Sequence, residues 1–292
     1  MHCISIPYMR FYYIFLLLSV FGLASCTESR LHEHKDWEKL FADNGITNGC
    51  FMVRDHTHDA LHYYNREQCL RRFSPASTFK IFNSLVALET AIAPDDQLLI
   101  KWDSVVRERP ELNKDLTMRE AFKVSSLPYY QEIARRVGRE YLQHYLDTVQ
   151  YGNRRIGPKA DEFWINDTLR ISADEQVGFL KKLYFDELPF SERSQRIVRS
   201  MMLQEEKPNY KLYYKTGTMN VRDSTVYWIV GFAEKIDEVV EPEKSMNKSN
   251  IRTYPYFFAQ NFIVASNDTS RNWFQTRITV LKEVLKNMEV IK

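Results

Sequence analysis

Ser77-Thr78-Phe79-Lys80 places a hydroxyl and an amine three residues apart. On a helix those two positions share a face. Ser77 lies where free backbone N–H groups and the helix dipole favour developing negative charge. Phe79, Ile81 and Phe82 surround the lysine with apolar side chains. Burial disfavours the ammonium form, so Lys80 is expected to act as a base and Ser77 as a nucleophile. The four-residue pattern is weak alone, since Ser245-Met246-Asn247-Lys248 repeats it in a polar stretch. Apolar context separates the two, and the second copy reads as chance. A further element, Lys215-Thr216-Gly217, sits in KLYYKTGTM, which reads as a strand. Glycine there admits close approach of a substrate backbone. Lysine and threonine at a sheet edge can bind a carboxylate. Ser125 follows a short helix opened by Thr117 and Glu120, and taken alone it would be a serine bonded to a helix-end carbonyl.

These groups need a scaffold, and the chain supplies a sizeable one. It has 292 residues, 44% of them apolar. Its 40 basic and 38 acidic residues nearly balance, which argues against a nucleic-acid binder. Gly49 to Arg54 and Ala60 to Tyr64 read as two strands around a polar turn. His56, His58 and His62 fall in or beside that turn without a further ligand cluster, so no metal site is expected. Ser74 and Pro75 suit a helix start, with Ser74 as cap, and the stretch to Leu88 is apolar on most faces. Thr117 with Glu120, and Ser172 with Glu175, form capping boxes, the second opening a helix to about Tyr184. Residues 90 to 205 therefore read as mainly helical. Lys211 to Met219, Ser224 to Glu234 and Pro255 to Ala265 read as strands, with a polar insert over Lys235 to Arg252. Arg271 to Met288 reads as a terminal helix. The expected fold class is α+β, an antiparallel sheet flanked by helices, with a helical lobe inserted between distant strands.

The N-terminus reads as a targeting segment. Arg10 precedes an apolar run, Phe11 to Leu23, shorter than the ~20 residues of a membrane span. Leu23-Ala24-Ser25-Cys26 resembles the lipobox of bacterial lipoproteins, the alternative being an ordinary signal peptide. The expected division is a signal at 1–25, a lipidated Cys26 opening a polar tether at 26–36, and a catalytic domain at 37–292. Thr27 after the cysteine resembles outer-membrane lipoproteins, so the domain is expected to be exported and to face the periplasm. Cys50 and Cys69 flank the hairpin, and a disulfide and a pair of buried thiols both remain open.

Taken together, Ser-x-x-Lys, a serine about fifty residues on, and Lys-Thr-Gly about ninety further resemble the penicillin-recognising serine enzymes. FSPASTFKIFNSLVALE, FKVSSLPYYQEIAR, Tyr151-Gly152-Asn153, DEFW and RISADEQVGFLKKLY narrow the resemblance to the class D (oxacillinase-type) β-lactamases. It runs from about residue 49 to the end. The resemblance implies hydrolysis of small-molecule β-lactams through an acyl-enzyme on Ser77. It implies no cofactor beyond CO2, carried by Lys80 as an N6-carboxylate and steadied by the Trp164 indole. It implies that Ser125 relays a proton with help from Lys215, and that Thr216 and Arg277 hold the substrate carboxylate. The N–H groups of Ser77 and Thr218 would form the oxyanion hole beside Gly217, with Tyr151 and Asn153 as the floor of the site. The family pattern Ser-x-Val reads Ser125-Ser126-Leu127 here, followed by Pro128, so the bulkier Leu127 bears on water access and substrate range. A penicillin-binding transpeptidase shares the motifs but deacylates slowly. A β-lactam sensor module would need membrane helices in front of the domain.

Overall fold

The structure, a computed structural model, describes residues 30–239 and 250–292. Cys26, the signal segment and the second Ser-x-x-Lys copy at 245–248 lie outside the described residues. The chain enters as a short strand, β1 (Leu31–Glu33), then helix α1 (Asp36–Asp43) and the hairpin β2 (Gly49–Asp55) and β3 (Ala60–Tyr64). A short α2 (Arg66–Leu70) leads to a 3-10 turn at Ala76–Phe79, which runs into α3 (Lys80–Glu89). The lobe follows, with a two-stranded ribbon β4 (Leu99–Ile100) and β5 (Leu116–Thr117). Its helices are α4 (Met118–Lys123), α5 (Leu127–Val137), α6 (Arg139–Val149), α7 (Ala173–Tyr184) and α8 (Glu192–Met202). The chain returns as β6 (Leu203–Lys207), β7 (Tyr210–Val221), β8 (Ser224–Val239) and β9 (Asn250–Ala265), and ends in α9 (Trp273–Asn287).

Strand order in the main sheet is β1-β3-β2-β9-β8-β7-β6. Strands from the two ends of the chain meet where β2 pairs with β9. All the pairs are antiparallel except β1 with β3. This parallel edge strand corrects two expectations: the sheet is mixed, and residues 31–36 are docked on the domain. His32 stacks on His62, and His34 on Trp37, which gives this polar stretch side-chain packing that its composition concealed.

Two cores flank the sheet. On one face Trp37 and Phe41 of α1 meet Val280, Leu281, Val284 and Leu285 of α9. On the other, α3 lies between sheet and lobe, with Lys80 to Leu88 all buried. That matches its nearly all-round apolar sequence. Both capping boxes form as the sequence implies. Ser74 does not cap the central helix. It donates instead to the Trp164 carbonyl at 2.7 Å, and Ala76 adopts φ +49°, which breaks the helical run before Ser77. Cys50 and Cys69 are both free and buried.

Candidate active site

The 3-10 turn presents Ser77 half-exposed, and α3 begins at Lys80, whose side chain is 1% exposed. The Lys80 ammonium donates to Ser77 Oγ at 2.8 Å and lies 5.4 Å from the centre of the Tyr130 ring. Burial pulls the Lys80 pKa down to about 7, with a smaller push from the charge of Arg109. An amine near neutrality is a usable base, and it already touches the hydroxyl it would deprotonate.

Strand β7 forms the opposite wall. Side chains alternate along a strand. Tyr213, Lys215 and Gly217 face the lobe, while Leu212, Tyr214, Thr216 and Thr218 face α9. A Cβ on Gly217 would stand 2.8 Å from the Pro75 carbonyl oxygen and 3.3 Å from the Ser77 nitrogen. Only glycine lets the strand lie that close to the serine turn. β6 pairs with β7 only as far as Tyr213, so the stretch carrying Lys215 to Thr218 has an open edge.

Lys215, 5% exposed, donates to Ser125 Oγ at 3.0 Å and lies 5.5 Å from the Phe122 ring centre. Burial lowers its pKa well below the ordinary lysine range, and the charges of Lys80, Arg277 and Arg109 push the same way. Two ammonium groups confined together do not both keep their protons readily. Ser125 follows α4 in a left-handed conformation, φ +56°, which turns its hydroxyl out of the helix end. Arg277 lies on the buried face of α9, one turn after Trp273. Its guanidinium donates to the Gly217 carbonyl at 2.9 Å and to Thr218 Oγ1 at 3.0 Å. Burial lowers its pKa to about 10, which leaves it a cation at neutral pH.

Trp164 is fully buried and stacks on Phe79, with ring centres 5.2 Å apart. Its carbonyl accepts from Ala76 N–H and from Ser74 Oγ, which ties it to the serine turn. Its indole Nε1 has no partner among the described residues. A buried donor without an acceptor is unfavourable unless something else fills that role. Leu127, half-buried at the start of α5, packs against the same core.

Tyr151 and Asn153 are held by protein contacts. Tyr151 is 2% exposed, packs edge-on against Phe79 and accepts from Gln176. Asn153 donates to the Thr168 carbonyl and accepts from the N–H groups of Arg155 and Arg170. Their polar atoms bind protein, so they brace the wall behind Ser77. Gly152, φ +54°, makes that brace tight, since a Cβ there would stand 2.2 Å from the Arg170 carbonyl oxygen. Sequence reasoning missed Tyr130, Phe122 and Arg109. The first two lie in the stretch that reads as helical, yet their aim at the lysines depends on helix packing. A separate cavity of about 580 Å³ lies beside α5, lined by Trp102, Leu112, Tyr129 and Arg136 and not by Ser77 or Lys80.

Comparison with known proteins places this geometry. Residues 41–240 match the penicillin binding protein transpeptidase domain. The chain is 38% identical over 229 residues to a probable β-lactamase, YbxI, of Bacillus subtilis, covering 76% of this chain and 85% of that protein. It is 34% identical over 278 residues to β-lactamase OXA-48 of Klebsiella pneumoniae, covering 95% of this chain and 97% of that one. The solved class D β-lactamase of Sebaldella termitidis superposes with a TM-score of 0.79 at 32% identity, covering 90% of this chain and 99% of that chain.

Proposed function

The chain belongs to the class D β-lactamases, and from that membership we propose that it hydrolyses the β-lactam ring of penicillin-type antibiotics through an acyl-enzyme on Ser77. The observation that carries the reading is the 2.8 Å contact between Ser77 Oγ and the buried Lys80 amine, whose pKa falls to about 7. Ser77 attacks the ring carbonyl as Lys80 takes its proton. The main-chain N–H groups of Ser77 and Thr218 stabilise the negative oxygen that develops. Ser125, hydrogen-bonded to Lys215, hands a proton to the departing ring nitrogen. Thr216 and Arg277 hold the substrate carboxylate. Water then cleaves the ester. The charge of Arg277 also holds Gly217 and Thr218 in place, so one cation serves the strand and the substrate.

The pocket suits carboxylation of Lys80. A fully buried amine with a pKa near 7 is largely neutral in mildly alkaline solution, and only the neutral amine captures CO2. The unpartnered Trp164 Nε1 supplies a donor for the product, and an indole N–H has no competing acceptor role. Bound CO2 would make Lys80 an anionic carbamate, a base for both acylation and deacylation. Turnover is therefore expected to fall in degassed, acidified enzyme and to recover with bicarbonate. Trp164→Phe keeps the ring stack but removes the donor, so it should raise the bicarbonate needed and slow deacylation most. Bicarbonate-independent turnover, with no lysine carbonyl signal in 13C NMR after labelled bicarbonate is added, would assign a free amine instead.

A time course with a chromogenic cephalosporin tests the main reading. Many turnovers are expected from wild type and none from Ser77→Ala, which removes one oxygen and leaves the fold intact. A single stoichiometric burst would point to a sensor or a transpeptidase. The sequence at Cys26 supports export and lipid anchoring at the outer membrane, facing the periplasm. Stable attachment needs more than one acyl chain, each buried CH2 contributing ~0.8 kcal/mol. Cys26→Ser should release the protein from membranes, and unchanged association in that variant would assign the anchor to the apolar run.

A further inference from the structure

Arg109 stands at the start of the turn Pro110–Leu112, outside the sequence motifs. Its guanidinium donates to the main-chain carbonyl of Val124 at 2.7 Å. Val124 immediately precedes Ser125, whose hydroxyl meets Lys215. The cation is thus fastened to the lobe wall beside Val124, one residue from the proton-relay serine. Its side chain is 50% exposed, so it belongs to the rim rather than to the buried centre. Its charge reaches that centre nonetheless. After burial it is the next cause of the lowered Lys80 pKa, and it acts on Lys215 in the same direction. Its carboxylate partner, Glu111, is 43% exposed, and such exposed pairs hold weakly. Glu111 takes Nε at 2.9 Å and shares Nη2 with Val124, which among the described residues leaves Nη1 for a ligand anion, and such an anion can also compete with Glu111.

We propose that Arg109 is a specificity-determining residue that favours β-lactams carrying a second anionic group on the acyl side chain. The inference rests on the hydrolytic reading above. The carboxylate common to all penicillins is assigned to Thr216 and Arg277 on the sheet side. An acyl substituent that turns towards the lobe rim meets Arg109 instead. The rim is wet, so the effect is modest and sensitive to salt.

The test compares benzylpenicillin with α-carboxybenzylpenicillin, which differ by one carboxylate, and reads the ratio of their kcat/KM values. Effects of Arg109 on Lys80 and Lys215 act on both substrates and cancel in that ratio. In Arg109→Gln the ratio is expected to fall roughly fivefold against the dianionic substrate, mainly through KM, as befits a rim charge. Arg109→Lys should recover most of it, which separates loss of charge from loss of the Val124 contact. In wild type the ratio should also fall as salt rises from about 0.05 to about 0.5 M. An unchanged ratio in folded Arg109→Gln, with both penicillins slowed equally or not at all, would overturn the proposal. Failure of wild type to turn over either penicillin would instead sink the hydrolytic reading on which it rests.

Discussion

A lysine fully buried beside a second buried lysine is held at the expense of stability, and Lys80 shows the sign of that effect. Its ordinary pKa of 10.5 falls to about 7 in the native protein, chiefly by burial. Between those values the unfolded chain holds a proton that the native chain lacks. Stability therefore rises with pH through that window, and the penalty is greatest at and below neutral pH. Lys80→Met, which fills similar volume without charge, should stabilise the protein on the order of 2 kcal/mol at pH 7 in CO2-free buffer while abolishing turnover. Urea melts at pH 7 and pH 9.5 check this. The advantage of the variant should shrink at the higher pH, and an advantage independent of pH would mean that Lys80 is not the group titrating. At this scale the sequence shows Ser77 and Lys80 clearly, because their spacing is local, and Lys215 through its tripeptide and the order of the motifs. Tyr130 under the Lys80 amine and Arg109 at the rim are not legible, because each depends on how separate segments pack.

Strand β7 is where an element does the work of a site. It lies against the serine turn because Gly217 has no side chain, and its edge is open because β6 ends its pairing at Tyr213. Gly217→Ala would drive a methyl to 2.8 Å from the Pro75 carbonyl oxygen, so strand and turn must part. The expected result is a protein destabilised by about 1–3 kcal/mol. Its kcat/KM should drop by roughly two orders of magnitude through misplacement of Ser77. Wild-type kinetics in this variant would show that the close approach is not required. The capping boxes at Thr117 and Ser172 were legible because they depend on residues three apart. The 3-10 turn at Ser77 was not, since Ser74 and Pro75 satisfy the rules for an ordinary helix start. What displaces Ser74 is the Trp164 carbonyl, ninety residues away in sequence.

Across the whole molecule, the N-terminal arm is fastened to the sheet by β1 and by a group of imidazoles. His34 Nε2 and His62 Nδ1 are 2.9 Å apart, and one proton between them suffices. Burial lowers the pKa of both, that of His62 to about 4 with a further push from His34 and His32. The released arm would take up protons first, so docking holds above pH 6.5 and weakens as pH falls towards about 4. Hydrogen-exchange protection factors over residues 30–36, taken relative to the intrinsic exchange rate at each pH, should fall through that range, and His62→Gln should flatten the dependence. Protection that stays constant with pH would show that β1 holds without the imidazoles. This strap was invisible in a polar stretch that reads as tether, whereas the α+β class with its inserted lobe follows from strand-like segments at both ends. The order of those strands also governs when the protein can fold. β2 finds β9 some 200 residues downstream, with Gly49 opposite Phe262. Contacts of such sequence separation form slowly because a long loop must close first. Until residues beyond 250 leave the ribosome, the apolar β2 keeps one edge without its partner. Growing chains of this protein therefore stay uncommitted until synthesis is nearly over, and chains stopped short of β9 are the ones expected to aggregate.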